Sequence, residues 1–283
     1  MTKSKMGSKR THLPNVVVRA LSGALFVAAI VGCILLGMST FCVLFCLVAA
    51  LLLNEFNGLL SDHDLAQVNN TVSVVGGVYL FIAFFLYCSG SAGPAVFAPY
   101  ILSLIFILVS GLYFKQPDPI GTWAYTFAGH LYIALPIALL NTLAFNPIYS
   151  PTLPLAVFVF LWLNDTGAYC FGCSLGRKIP YKLFPSVSPK KSWVGSVGGG
   201  IVVLLGAWIF SIIYGNLIFW LGLGLIVCVF GTWGDLVESQ LKRTVGIKDS
   251  GRFLPGHGGV LDRFDSALLA IPAAAAYVLL WGA

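Results

Sequence analysis

Long apolar segments separated by short polar stretches run along almost the whole chain. We divide them into nine predicted spans: 16–37, 39–54, 72–89, 96–114, 122–144, 154–171, 194–214, 217–238 and 264–282. Each approaches the roughly 20 residues that a helix needs to cross a bilayer. The second span is short and ends at Asn54 and Glu55. The pattern predicts an all-α, polytopic integral membrane protein with about nine transmembrane helices.

The composition supports this prediction. Hydrophobic residues make up 58% of the chain and charged residues only 9%, whereas a soluble domain carries about 25% charge. We predict two regions, a polar basic tail at 1–15 and a single membrane domain at 16–283. The first apolar segment continues to about Leu36. It is too long for the apolar region of a signal peptide, so we interpret it as a retained membrane helix.

Positive charge is distributed asymmetrically along the predicted topology. With a cytoplasmic N-terminus, the inside loops are 55–71, 115–121, 172–193 and 239–263. All 16 Lys and Arg residues then fall in these loops, in the tail or at adjoining helix ends, as the positive-inside rule requires. The net charge of +6 without a long basic tract favours anionic membrane lipid as a partner and not nucleic acid. A charged substrate would be bound at the cytoplasmic face.

A first polar cluster lies at the cytoplasmic end of the sixth span, where Asp165 follows a largely apolar run. A carboxylate at membrane depth is costly unless it faces the protein interior or a wet cavity, so Asp165 is a candidate site residue. Tyr169 lies four residues further, on the same helix face. The alternative is an interfacial Asp that only ends the span.

A second cluster, Ser188-Pro-Lys-Lys-Ser-Trp193, precedes the seventh span. Pro189 favours an extended or turn conformation, and Lys190 and Lys191 are suited to binding phosphate. The alternative is a basic and aromatic anchor at the membrane surface. Gly195 and Gly199 then form a GxxxG spacing that permits close helix packing, within one chain or between subunits.

The third cluster spans the end of the eighth span, the loop and the start of the ninth span. One helix face carries a set of polar residues at i, i+3, i+4 and i+7: Asp235, Glu238, Ser239 and Lys242. Asp262 and Asp265 begin the last span, and His257 with Gly258 and Gly259 precedes them. Carboxylates suit Mg²⁺ completed by substrate phosphates, and glycine-rich backbone can offer N–H groups to a phosphate. The alternatives are helix capping for the aspartates and a structural role for His257.

Residues 239–265 resemble the phosphatidate cytidylyltransferase family, the CDP-diacylglycerol synthases. The positions that match the family pattern are Ser239, Leu241, Lys242, Arg243, Lys248, Asp249, Gly251, Leu254, His257, Gly258, Gly259, Asp262, Arg263 and Asp265. The resemblance extends to Asp165-x-x-Ala-Tyr169 and to residues 188–195. The second of these segments departs from the family at Ser192, where Thr is commoner, and at Val194, where Glu is usual. Position 194 is therefore left out of the candidate site.

The resemblance implies that CTP and phosphatidate react to give CDP-diacylglycerol and diphosphate, a committed step of phospholipid biosynthesis. It implies Mg²⁺, with a second cation as an open alternative, as well as a homodimer. The implied location is the plasma (inner) membrane of a bacterium, with the active site facing the cytoplasm. The expected metal ligands are Asp235, Asp262 and Asp265. The expected catalytic residues are Lys242, Lys248, Asp249, His257 and Arg263. The expected substrate-binding residues are Asp165, Tyr169, Ser188, Lys190, Lys191, Ser239, Arg243, Gly258 and Gly259.

Two other functions remain open at this point. A CTP-dependent polyprenol or phytol kinase has related membrane motifs, but it would transfer the γ-phosphoryl group and release CDP. A non-catalytic lipid transporter or scaffold would show no metal dependence and would leave the carboxylate and lysine clusters without a role.

Overall fold

The computed structural model describes residues 15–113, 117–146, 148–176, 178–251 and 258–282. These residues form ten α-helices: α1 (Asn15–Leu35), α2 (Met38–Asp62), α3 (Asn70–Cys88), α4 (Ala98–Tyr113), α5 (Pro119–Gly129), α6 (Leu135–Ala144), α7 (Thr152–Leu175), α8 (Trp193–Tyr214), α9 (Leu217–Thr244) and α10 (Leu261–Gly282). A π-helical turn, His130–Ala134, joins α5 to α6, so that the two make one continuous span, Pro119–Ala144.

The all-α membrane architecture is confirmed. Within the described part of the chain, eight helices are long and apolar enough to cross a membrane, and the shorter apolar stretch Ala20–Leu35 corresponds to the first predicted span. The count of about nine spans is therefore close. Of the predicted basic tail, residues 1–14 lie outside the described residues, and α1 begins at Asn15.

Three helices continue beyond the predicted ends of their spans. The second predicted span ends at 54, whereas α2 runs to Asp62. Similarly, α7 ends at Leu175 and α9 at Thr244, not at 171 and 238. In α2 the extension is amphipathic, because Phe56, Leu59 and Leu60 are buried at the i, i+3, i+4 spacing of one helix face. The polar residues therefore end the apolar run without ending the helix, and Glu55 lies within α2.

A short antiparallel hairpin connects α7 to α8. Strand β1 (Lys182–Phe184) pairs with β2 (Ser188–Ser192), and Lys182 lies opposite Ser192. Pro189 therefore lies in an extended segment, as predicted. The Ser192 side chain caps α8 by accepting a hydrogen bond from the Gly195 N–H at 3.2 Å. The hairpin thus delivers Lys190 and Lys191 directly to the start of a helix.

Glycines on α8 allow it to approach α7 at backbone distance. A Cβ at Gly199 would lie 2.6 Å from the Asn164 Oδ1 atom and 2.7 Å from the Asn164 carbonyl oxygen. A Cβ at Gly195 would lie 2.9 Å from the carbonyl oxygen of Ala168. Of the two predicted roles for the GxxxG spacing, the structure shows packing within the chain.

The core is formed by large apolar side chains from helices in both halves of the chain. Phe41 and Phe45 on α2, Phe81 on α3, Phe160 on α7 and Phe264 on α10 are almost completely buried. Helix α10 packs against α9 on one side and α6 on another. Its first turn, which carries the last predicted motif, is therefore held between the N-terminal and C-terminal helices.

Candidate active site

A buried ion network connects α9 to α10. The Lys242 ammonium lies 2.6 Å from Glu238 Oε2 and 2.7 Å from Asp262 Oδ1. The Glu238 side chain is fully buried, and the side chains of Lys242 and Asp262 are only 12% and 8% exposed. Removing one partner of such a network would leave an uncompensated buried charge. The sequence resemblance implies a catalytic role for Lys242, whereas in the structure two carboxylates already balance its charge.

The second oxygen of Asp262 organises the glycine-containing loop. Asp262 Oδ2 accepts hydrogen bonds from the Ser250 N–H at 3.0 Å and from the Gly259 N–H at 2.8 Å. Gly258 has a φ of 83°, a left-handed conformation that favours glycine, and a Cβ there would lie 2.5 Å from Asp262 Oδ2. The structure therefore places the Gly259 N–H against a protein carboxylate, whereas the sequence suggests a phosphate as its partner.

Glu55 also contacts this loop, although its position in the sequence does not single it out. Its carboxylate accepts hydrogen bonds from Ser250 Oγ, from the Val260 N–H at 2.7 Å and from the Leu261 N–H at 3.2 Å. The available sequence signal is a carboxylate at the end of an apolar run. That signal indicates Asp165 as a site residue, whereas at Glu55 the same signal predicts only the end of a span.

An ion pair brings the second and third polar clusters together. Lys191 Nζ lies 2.6 Å from Asp235 Oδ2 and 3.5 Å from the carbonyl oxygen of Thr232, to which it donates. Ser239 Oγ donates to the other oxygen, Asp235 Oδ1, at 3.2 Å. The hairpin and the C-terminal half of α9 thus share one polar surface.

Two cavities meet at Asp165 and Asp235. The first has a volume of about 240 Å³ and lies between α7, the hairpin and α9. The residues that line it include Asp165, Tyr169, Lys190, Lys191, Ser192, Ser196, Thr232 and Asp235. Because two lysines and several hydroxyl-bearing side chains line this space beside the two aspartates, it can accept a phosphate-bearing ligand.

The second cavity has a volume of about 310 Å³, and apolar side chains form one part of its wall. Phe26 and Val27 of α1 and Trp162 of α7 form that side. The polar residues that line it include Asp165, Asp235, Asp262, Arg263 and Asp265. A ligand with a charged head and an apolar body would match this combination.

The remaining predicted site residues lie further from the two shared cavities or are exposed at their edge. Tyr169 is 73% exposed, Ser188 is half-buried in β2, and Arg243 is exposed and donates to the Ile247 carbonyl oxygen at 3.2 Å. The exposed Lys248 and Asp249 line a third cavity, of about 590 Å³, beside Glu55. His257 lies outside the described residues. Lys248 and Asp249 are therefore not brought to the two cavities that Asp165 and Asp235 share.

The carboxylates suit a cation that a substrate completes. Among the described residues, no three His, Cys, Asp or Glu side chains are grouped closely enough to hold a metal ion by themselves. Four aspartates nevertheless border the second cavity, and they supply only oxygen donors. Mg²⁺ is commonly held by one or two carboxylates together with waters and substrate phosphates. The donor set therefore fits Mg²⁺ bound jointly with a nucleotide.

Comparisons with known proteins identify relatives among bacterial enzymes. Proteins named phosphatidate cytidylyltransferase from Staphylococcus aureus (strain COL) and Staphylococcus saprophyticus are 48% and 49% identical to this chain over 121 residues. The counterpart from Staphylococcus haemolyticus is 48% identical over 122 residues. Each match covers 42% of this chain and 45% of the relative, so it spans just under half of the relatives' length.

A family model covers far more of the chain than these pairwise matches. The model is described as the cytidylyltransferase family, and it matches residues 17–281. That range includes both cavities and the ion networks around them. The chain therefore belongs to the cytidylyltransferase family.

Proposed function

We propose that this protein is a phosphatidate cytidylyltransferase, which converts CTP and phosphatidate to CDP-diacylglycerol and diphosphate. The observation that carries the proposal is the pair of cavities that share Asp165 and Asp235. The first cavity is lined by two lysines and several hydroxyl-bearing side chains, and the second combines charged groups with an apolar side. Two substrates that must react with each other would meet at the shared carboxylates.

The first cavity, which Lys190 and Lys191 line, is proposed to bind the nucleotide. Lys191 is held at the cavity by Asp235, and Lys190 is the exposed neighbouring lysine. Both ammonium groups can stabilise negative charge on the triphosphate, and Ser192 and Ser196 provide hydroxyl groups at the same surface. Tyr169 lies at the edge of this cavity and would limit how the nucleotide enters.

The second cavity is proposed to bind the phosphatidate headgroup. Arg263 would contact the lipid phosphate, since arginine can bind phosphate oxygens in a bidentate manner. Phe26, Val27 and Trp162 would contact the glycerol and the first part of the acyl chains. The lipid tails would then extend from the helices towards the bilayer.

The proposed reaction needs orientation and charge stabilisation more than proton transfer. A phosphate oxygen of phosphatidate, already anionic near pH 7, attacks the α-phosphorus of CTP. The bond from that phosphorus to the oxygen bridging the α- and β-phosphates breaks, and diphosphate leaves with the electron pair. Lys190, Lys191 and Arg263 stabilise the negative charge that develops on the phosphate oxygens during transfer. One or two of the predicted ligands Asp235, Asp262 and Asp265 would hold Mg²⁺ together with substrate phosphates, and the ion supplies Lewis-acid stabilisation of the phosphate oxygens when bound.

The location and assembly follow from the same proposal. Apolar helices make up most of the described chain, and the matched relatives are bacterial, so this is a membrane protein of bacterial type. We propose that it resides in the plasma (inner) membrane with both cavities facing the cytoplasm, where CTP is made. A homodimer remains a prediction, and light scattering of the detergent-solubilised protein would test it.

Labelled nucleotides test the reaction directly. Purified protein in phosphatidate-containing vesicles should transfer label from α-³²P-CTP to lipid, release diphosphate, and stop when EDTA is added. With γ-³²P-CTP and a polyprenol or phytol acceptor, no lipid should be labelled. Transfer of the γ-label with release of CDP would instead identify a kinase. If no nucleotide labels lipid in either assay, the proposed activity is wrong.

A further inference from the structure

Glu55 links an N-terminal helix to the first turn of α10. Its two carboxylate oxygens accept from the Val260 and Leu261 N–H groups at 2.7 and 3.2 Å, and α10 begins at Leu261. The first N–H groups of a helix have no partner within that helix. A carboxylate supplied by α2 therefore completes the hydrogen bonding at the start of α10 and interacts favourably with the helix dipole.

The loop before α10 is shaped around this carboxylate. A Cβ at Gly259 would collide with Glu55 Oε1, and a Cβ at Gly251 would lie 3.0 Å from Glu55 Cδ. Neither glycine has a positive φ, so the lack of a side chain, and not an unusual backbone conformation, is what these positions require. Both glycines thus make space for Glu55.

Ser250 connects Glu55 to Asp262. The Ser250 hydroxyl donates to Glu55 Oε1, and its N–H donates to Asp262 Oδ2 at 3.0 Å. Asp262 is in turn bound to Lys242 at 2.7 Å. A continuous chain of hydrogen bonds and ion pairs therefore runs from α2 through the loop to α10 and α9.

Glu55 does not line either of the cavities that contain Asp235. It lines the third cavity, beside Lys248 and Asp249. In the proposed two-cavity site, Glu55 therefore contacts neither substrate pocket and would act through the residues that it holds. Asp262 and Asp265 lie in the first turns of the helix whose N-terminus Glu55 caps, so the position of both depends on Glu55.

We propose that Glu55 is a positioning residue that fixes Asp262 and Asp265 relative to Asp235 on α9. This inference rests on the proposed cytidylyltransferase activity for its kinetic consequence, but its structural consequence is independent of that activity. Small displacements of reacting groups reduce rates strongly, by about 100-fold for an error near 1 Å. A change at Glu55 should therefore reduce turnover more than substrate affinity.

The test compares Glu55→Gln with Asp64→Asn. Gln has the same length as Glu, but one carboxylate oxygen becomes an NH₂ group that cannot accept from a backbone N–H. Asp64 is exposed just beyond the same helix, lines none of the three cavities and serves as the matched control. We expect Glu55→Gln to lower kcat about 10- to 100-fold while the KM for CTP changes by less than about 3-fold. Hydrogen–deuterium exchange of the 259–262 amides should become about tenfold faster, and Asp64→Asn should match wild type in each measurement.

The outcomes separate this inference from the proposed function. Faster exchange with unchanged kcat would show that Glu55 only stabilises the start of α10. Unchanged exchange would show that the contacts of Glu55 do not hold α10. Either result overturns the inference. If wild-type protein makes no CDP-diacylglycerol, the proposed function fails, while the exchange measurement still decides whether Glu55 holds α10.

If Glu55→Gln does not fold, Ser250→Ala removes one hydroxyl contact and keeps the Ser250 N–H bond to Asp262. It should lower kcat by a smaller factor, about 3- to 10-fold, and an unchanged kcat would overturn the inference.

Discussion

The Asp235 carboxylate lies 2.6 Å from the Lys191 ammonium, and this ion pair joins the hairpin to α9. The two side chains remain 30% and 24% exposed, and both line the first cavity. A phosphate that enters the cavity can therefore reach Lys191 without separating it from Asp235. The pair is suited to hold the lysine in place before the nucleotide arrives.

Replacing Lys191 with Ala should raise the KM for CTP about 10- to 100-fold, because a hydrogen bond to a charged group contributes about 1.5–3 kcal/mol. Lys190→Ala removes the same charge from the neighbouring, exposed position, and it should raise the KM by only about 3-fold. Initial rates measured over a range of CTP concentrations check both values. Equal KM values in the two variants would contradict a specific role for Lys191, and unchanged values in both would make the pair a membrane anchor only.

Asp265→Asn should lower CTP-dependent product formation by more than about 100-fold, because it removes a proposed metal ligand at the site of developing charge. Asp262→Asn should be similarly inactive, but it should also lower the free energy of unfolding by about 1.5–3 kcal/mol, since it breaks the contact with Lys242. Turnover and thermal unfolding in detergent measure the two effects separately. Near-normal turnover of either variant would exclude that residue as a metal ligand.

Gly199→Ala should destabilise the packing of α7 on α8. The new Cβ would lie 2.6–2.7 Å from two Asn164 oxygens, and overpacking of this kind costs about 1–3 kcal/mol. Gly200→Ala on the same helix is the matched control, because its nearest neighbour is Cys228 Sγ at 3.5 Å, an ordinary contact. Thermal unfolding should show a lower Tm for the first variant only. A Tm loss of the same size in both variants would argue against the close contact.

Ser192→Ala should remove the N-terminal cap of α8 and cost about 0.5–2 kcal/mol. Ser192→Thr keeps the hydroxyl that accepts from the Gly195 N–H, so it should retain most of the stability and activity. Unfolding in detergent together with the KM for CTP tests this difference, since Ser192 also lines the first cavity. If the Thr variant loses as much as the Ala variant, the hydroxyl group is not what this position requires.

The apolar runs were sufficient to predict the helical membrane fold and the approximate position of each span. They could not predict where the helices end. Asn54 and Glu55 reduce local hydrophobicity, but the buried face formed by Phe56, Leu59 and Leu60 continues the helix to Asp62. The end of an apolar run marks the limit of the bilayer, whereas helix termination depends on backbone hydrogen bonding and packing.

The candidate site was predicted in parts. Polar residues at membrane depth indicate Asp165 and Asp235, and the structure places both at the two shared cavities, while their roles in binding stay predictions. The pairing of Lys191 with Asp235 depends on how the hairpin folds over α9, and no local pattern encodes that contact. Lys242 illustrates the same limit, because its position on a polar helix face does not show that Glu238 and Asp262 already balance its charge.

The contact between Glu55 and the start of α10 also has a consequence for biosynthesis. Glu55 is translated about 200 residues before the N–H groups that it binds, and contacts so distant in sequence form late. We expect the early helices to insert into the membrane while the Glu55 carboxylate, near the C-terminal end of α2, is still hydrated. The proposed catalytic arrangement would then be completed only when the last helix docks, so a partly synthesised chain would occupy the membrane without the proposed activity.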